Sequence, residues 1–311
     1  QSFDAETGHT KEGLDYLALS GAGALRGFAL PPMIGEAGTV GVTHVPVTVQ
    51  LSHRFDNPVV FATATTANGG QPAAVRIVSL TSDTLTLAMQ EPLWLDGAHA
   101  RENVSWLVVE AGSWELADGR RLEAGLVTVD ARGPEGLSDV SFDGAPFDAT
   151  PVTLAQIQGL AEADFLDTRQ GDATPDGFRV TVEAEEARNT LPLAPQDVGW
   201  LAVDEGTGLW QTPRGAAVLE AGWTGQSVTN GMSQVSFDAP FDAPPLLLAQ
   251  MTTYAGVNPA VLRASGLTAD GLSLRVQEDQ SLDAELGHTA EDVGFVGLSG
   301  GGLLLGEAWT S

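Results

Sequence analysis

The chain repeats itself. Gln1–Leu25 (QSFDAETGHTKEGLDYLALSGAGAL) matches Gln280–Leu304 (QSLDAELGHTAEDVGFVGLSGGGLL) without a gap. Related text stands at His99–Val109 and Leu193–Val203. A second block reads VSFDGAPFDATPVTLAQIQ from Val140 and VSFDAPFDAPPLLLAQM from Val235, with a weaker copy from Val49. A Glu-Ala pair marks Glu36, Glu123, Glu220 and Glu307, at intervals of 87, 97 and 87 residues. The expected organisation is the C-terminal half of a repeat over 1–35, full repeats over 36–122, 123–219 and 220–306, and the start of a further repeat over 307–311. A unit of about 90 residues is too long for a solenoid turn and suits one small β domain. Gln1 is not an initiator Met, so we expect a piece of something longer.

Composition narrows the class. Forty-one acidic residues against 14 basic ones give a net charge of −27, which repels nucleic acid and anionic lipid. Hydrophobic residues at 43% are too many for a disordered acidic tail. No apolar run reaches the roughly 18 residues of a membrane span. The absence of cysteine excludes a disulfide framework and cysteine-ligated metals. No nucleophile elbow, phosphate loop, dinucleotide fingerprint or zincin helix appears, so no enzyme is expected.

The local pattern is that of strands. Leu246–Met251 is a short apolar run, and Val261–Leu267 and Leu272–Glu278 flank Asp270-Gly271. Asp-Gly between apolar runs signals a two-residue hairpin. Centred there, the hairpin would oppose Arg263 to Glu278. The same reading opposes Arg76 to Glu91 about Asp83-Thr84, and brings Arg169 beside Glu186 about Asp176-Gly177. Tyr16, Trp106, Trp200 and Phe295 lie on alternating strands as core aromatics. No stretch carries a capped period of 3.6. The expectation is an all-β chain of tandem antiparallel β-sandwiches.

The order of these elements resembles the H-type lectin domain. It runs V-x-F-x-x-x-F-x-x-x-P, an Arg strand, T-x-D-G-F/L, then V-G-W/F. The tandem version in large bacterial secreted proteins is similar still, with Gln277-Glu278-Asp279 followed by His288-Thr289-Ala290-Glu291, and Gln90-Glu91 followed by His99-Ala100-Arg101-Glu102. The resemblance implies six-stranded sandwiches, which in that family assemble as trimers or hexamers with sugar at subunit contacts. It also implies a sugar-binding Arg upstream of the strand Arg and a Trp-His pair, but this chain has Pro72, Phe165 and Pro259 at the first position. At the second it has Pro92-Leu93 and Asp279-Gln280. Arg76, Arg169 and Arg263 match the family's scaffold Arg.

Each candidate site has two readings. Arg76, Arg169 and Arg263 are either anion- or sugar-binding groups or internal ion pairs with Glu91, Glu186 and Glu278 that fix register. His9/Glu12, His99/Glu102 and His288/Glu291 form a recurrent His-x-x-Glu. It is either a weak ligand-binding pair or a junction satisfying backbone groups. Two ligands per unit are too few for a metal alone. Glu278, Asp279, Asp283 and Glu285 are either solvated loop acids or a weak calcium site; no other cofactor is expected. Trp94 is the best candidate for a sugar-stacking platform, while Trp114, Trp210, Trp223 and Trp309 also sit outside the core-aromatic position.

These readings lead to a non-enzymatic, extracellular or cell-surface adhesin that binds glycans weakly and multivalently. The alternative is a structural protomer of a fibre or coat, assembled with other copies of itself as a homo-oligomer or polymer by strand complementation through residues 1–35. Neither nucleic acid nor membrane insertion enters either reading.

Overall fold

The computed structural model describes residues 30–143, 145–238 and 241–310. Residues 1–29, including His9, Glu12 and Tyr16, lie outside the described residues. The described elements are strands, apart from two single-turn 3-10 helices at Pro134–Gly136 and Glu186–Arg188. The first unit has β1 (Met33–Val42), β2 (Val47–Gln50), β3 (Pro58–Ala64), β4 (Ala74–Leu80), β5 (Thr84–Gln90) and β6 (Glu102–Glu110). β7 (Gly112–Glu115) leads to the second unit: β8 (Arg121–Val129), β9 (Ser138–Ser141), β10 (Val152–Ile157), β11 (Leu166–Thr174), β12 (Gly177–Ala184) and β13 (Gln196–Val203). β14 (Gly206–Thr212) leads to the third: β15 (Gly215–Trp223), β16 (Ser233–Ser236), β17 (Leu246–Met251), β18 (Ala260–Ser265), β19 (Gly271–Glu278) and β20 (Val293–Leu298). β21 (Gly302–Leu305) and β22 (Glu307–Ala308) follow.

Every unit is a sandwich of two three-stranded antiparallel arrays. The first stacks β1-β6-β3 on β2-β5-β4, the second β8-β13-β10 on β9-β12-β11, and the third β15-β20-β17 on β16-β19-β18. The fold is all-β. Each unit closes over its own apolar core, with Trp106, Trp200 or Phe295 inside. Gly38, Gly125 and Gly222 stand opposite those rings. A Cβ on Gly38 would come within 2.5 Å of the Trp106 ring, so the glycine is what lets the aromatic lie on the neighbouring strand. The Glu two residues earlier is buried and turned to the following loop. Glu36 accepts from the backbone N–H of Ser52 and His53, Glu123 from Asp143 and Glu220 from Asp238. The recurrent Glu-Ala-Gly is thus one device: a carboxylate that holds a loop and a gap that receives a ring.

The units close into a ring. β7 pairs with β8, β14 with β15, and β21 with β1, so each linking strand extends the first strand of the next unit and the last one returns to the first. β3, β10 and β17 meet at the centre. A fourth core forms there from all three units, including Phe61, Leu107, Leu154, Leu201, Leu248 and Val296. This explains why β6, β13 and β20 are apolar on both faces: one face fills the unit's core and the other the shared one.

Edge strands need partners for their free backbone groups. Gln156 accepts from Ala62 N–H at 2.7 Å and donates to Ala62 C=O at 3.3 Å. Gln250 accepts from Ala155 N–H at 2.5 Å, and the Thr63 hydroxyl accepts from Ala249 N–H at 3.0 Å. Thr63, Gln156 and Gln250 occupy one position in the three units, judged by the pairing of the preceding Ala with the core aromatic. Each therefore seals the exposed edge of the preceding unit.

The hairpins correct the expected register. Arg263 opposes Arg275, Arg76 opposes Ala88, and Arg169 opposes Thr181. The corner is Ser82-Asp83, Pro175-Asp176 and Ala269-Asp270, one residue earlier than expected. There the hydroxyls of Thr81, Thr174 and Thr268 accept from the Asp backbone N–H two residues on. A bulge on the first strand, at Asp172 (φ 56°) and Gly266 (φ 63°), displaces the pairing further. Gly177 and Gly271 are not needed for positive φ. A Cβ on either would lie 2.1 Å from the carbonyl oxygen of Val140 or Val235, so they serve close approach of the neighbouring strand.

Candidate functional site

Arg76, Arg169 and Arg263 begin on equivalent strands, β4, β11 and β18. None pairs with the carboxylate expected of it within its own hairpin. Each is buried and crosses to the next unit of the ring. Arg76 donates to the carbonyls of Leu166 and Gly159. Arg169 meets Glu291 at 2.6 Å and, within its own unit, Glu183 at 3.1 Å, with the Tyr254 ring 4.4 Å away. Arg263 donates to the carbonyls of Gly69 and Gln71 and lies 3.8 Å from Glu102. The pairs Arg76–Glu91, Arg169–Glu186 and Arg263–Glu278 are therefore replaced by inter-unit contacts. The cause is the shifted register, which turns Glu91 and Glu278 away from the arginines. Glu186 instead donates its backbone N–H to Asp279.

The freed carboxylates hold histidines. His99 lies between Glu91 (Nδ1, 2.8 Å) and Glu102 (Nε2, 3.1 Å). His288 lies between Glu278 (2.8 Å) and Glu291 (3.0 Å). Both imidazoles are fully buried with both ring nitrogens engaged. No face is left for a ligand, so the ligand-binding reading of His99, His288, Glu102 and Glu291 is corrected to a structural one. The far carboxylates also gather a loop. Glu102 accepts from the Thr66 hydroxyl and the N–H groups of Asn68 and Gly69; Glu291 accepts from Thr253, Ala255 and Gly256 in the same manner. A Cβ on Gly69 or Gly256 would lie 2.4 or 2.5 Å from the histidine ring. The sequence carries this as Thr-Thr-x-x-Gly at 65–69 and 252–256. That signal, together with the edge-sealing Thr63, Gln156 and Gln250, is what reading along single strands misses.

The electrostatics follow from this geometry. Burial would raise Glu291, but the hydrogen bonds from His288, Thr253 and Gly256 and the Arg169 charge outweigh it and hold the carboxyl at about 2. Glu102 is also lowered, against its burial, by bonds from Gly69, Thr66, Asn68 and His99. The second unit has Ala184, Leu193 and Gln196 at the three positions, so Arg76 meets carbonyls there in place of a carboxylate. Burial lowers Arg76 to about 10.

The loops after β5, β12 and β19 also meet. Asp279 accepts from the Trp94 indole at 2.9 Å and from Glu186 N–H at 2.9 Å, and Glu185 accepts from Leu93 N–H. Trp94 remains 43% exposed. Trp210 is a core residue, fully buried and donating to the Leu305 carbonyl. Trp223 and Trp114 pack against the shared core, and Trp309 lies near the Arg121 guanidinium. Pro72, Phe165 and Pro259 line one small cavity together. Phe165 is buried against Ala74 and Val261 of the other units. Among the described residues no group of three or more His, Asp or Glu is placed to hold a metal ion. No helix among them is long and apolar enough to cross a membrane.

The fold and these junctions define a closed three-unit all-β body. The chain is 26% identical over 261 residues to halomucin of Haloquadratum walsbyi (strain DSM 16790 / HBSQ001). The match covers 80% of this chain and 3% of halomucin. No family model matches the chain, and no solved structure matches it.

Proposed function

We propose that this chain is a non-enzymatic, extracellular module of a cell-surface or matrix adhesin with H-type-lectin-like units. It binds carbohydrate weakly at single sites and more strongly through repetition. The similarity to halomucin carries the reading, since the stretch shared with this chain is a small piece of a very long protein. Two further features support it. The three-on-three sandwiches, ringed about a common core, parallel the trimers of the resembling family. Trp94, exposed yet tethered by its indole nitrogen, offers a fixed ring face to a sugar.

A glycan array probed with the whole chain, with and without calcium, tests this. Binding to a subset of glycans is expected, and uniform silence in both conditions would overturn it. The fibre or coat reading ranks second. It works by strand complementation through residues 1–35, of which residues 1–29 lie outside the described residues.

A further inference from the structure

One groove in the molecule bears on what class of ligand such a module takes. A groove of about 540 Å³ runs between the first and third units, within the size range of ligand sites. Its floor is the face of β1, β6 and β3 that farther along packs into the shared core. Here that face carries Thr39, Thr65, Asn103 and Ser105. Its wall is Pro244, Pro245 and Leu267 of the third unit. None of the lining residues ionises, although the chain holds 41 carboxylates. The Arg101 guanidinium lies over Gly41 at the rim.

The polar groups on the floor are partly uncommitted. Among the described residues, the Thr39 hydroxyl and the Asn103 side-chain amide make no hydrogen bond, whereas Thr65 donates to Asn103 C=O and Ser105 accepts from Leu247 N–H. Hydroxyl and amide groups facing an apolar proline–leucine wall match a ligand with hydroxyls on one side and C–H groups on the other. A surface at −27 opposes an anionic ligand, and a cation finds no carboxylate among the lining residues. The sister units differ at these positions. Asp197 and Asp292 replace Asn103, while Leu126 and Trp223 replace Thr39, so both charge and bulk stand where the first unit is neutral and open.

We infer that the groove between the first and third units binds a neutral oligosaccharide, with Asn103 and Thr39 as its polar contacts. This rests on the carbohydrate reading above and narrows it to one site and one charge class.

The test is titration calorimetry of the full chain with lactose, cellobiose, maltotriose and chitobiose, and with a sulfated oligosaccharide as the charged arm. At least one neutral sugar should bind, with a tenfold or greater loss in Asn103→Asp and in Thr39→Trp. Asp197→Asn, in the second unit, should bind as the parent does. Both test residues occur naturally in sister units, so melting close to that of the parent is expected. Neutral binding untouched by either variant would overturn the groove while leaving carbohydrate binding in place, to be sought at Trp94 with Trp94→Ala. Binding of the sulfated sugar alone would overturn the charge class. Silence toward every sugar here and on the array would remove both readings.

Discussion

Glu291 joins two units through a single carboxylate. It accepts from His288, Thr253 and two backbone N–H groups of its own unit and pairs with Arg169 of the preceding one. Replacing it by Gln leaves Arg169 and His288 buried beside a neutral amide, and breaking a buried pair in this way costs about 3–5 kcal/mol. The pH dependence has a definite sign. The folded carboxyl titrates at about 2, below its ordinary 4.5, so its contribution is present above pH 4.5 and is lost as the pH falls toward 2. The parent should therefore exceed Glu291→Gln in denaturant midpoint at pH 7, and the two should converge on acidification. A gap that stays constant down to pH 2 would show that the charge of Glu291 is not the source. The His-x-x-Glu motif is legible along the sequence. That its Glu meets an Arg 122 residues away is not, because the repeated units offer each Arg more than one equivalent carboxylate, Glu102 or Glu291.

At the level of single strands, the decisive groups are the side chains that seal β3, β10 and β17. Gln156 satisfies both the N–H and the C=O of Ala62, so Gln156→Ala leaves a buried donor unpaired at a cost of about 1–3 kcal/mol. Urea unfolding should report the loss. Hydrogen exchange should show it first at Ala62, and unchanged protection there would refute the edge-sealing role. A polar residue recurring inside an apolar strand was visible as the Ala-Gln of the second repeat block, but its direction was not. Hairpin register shows the same divide. Thr-x-Asp-Gly announces a turn, yet one bulged residue at Asp172 or Gly266 decides which side chains face each other, and with them the fate of every Arg and Glu on the hairpin.

The three units of residues 31–311 close into a ring, and the chain carries a charge of −27. Self-repulsion of that size opposes compactness and weakens as the screening length falls from about 10 Å at 0.1 M salt to about 3 Å at 1 M. The melting temperature should rise by several degrees over that interval, followed by circular dichroism. A flat or falling profile would mean that ion pairs such as Arg169–Glu291 outweigh the net charge. Closure itself depends on β21 reaching β1, strands separated by nearly the whole described chain.

Repetition, strand periodicity and turn residues fixed the all-β class and the kind of unit, because those signals act between neighbours in the chain and survive in any arrangement of units. Ring closure, the partner of each arginine, the burial of the histidines and the neutral groove arise from contacts between units. Nothing in a periodic sequence distinguishes one copy's surface from another's as a partner. The choice is made by packing: the inner sheet faces are apolar on both sides, and burying all three together is what bends the string of units back on itself.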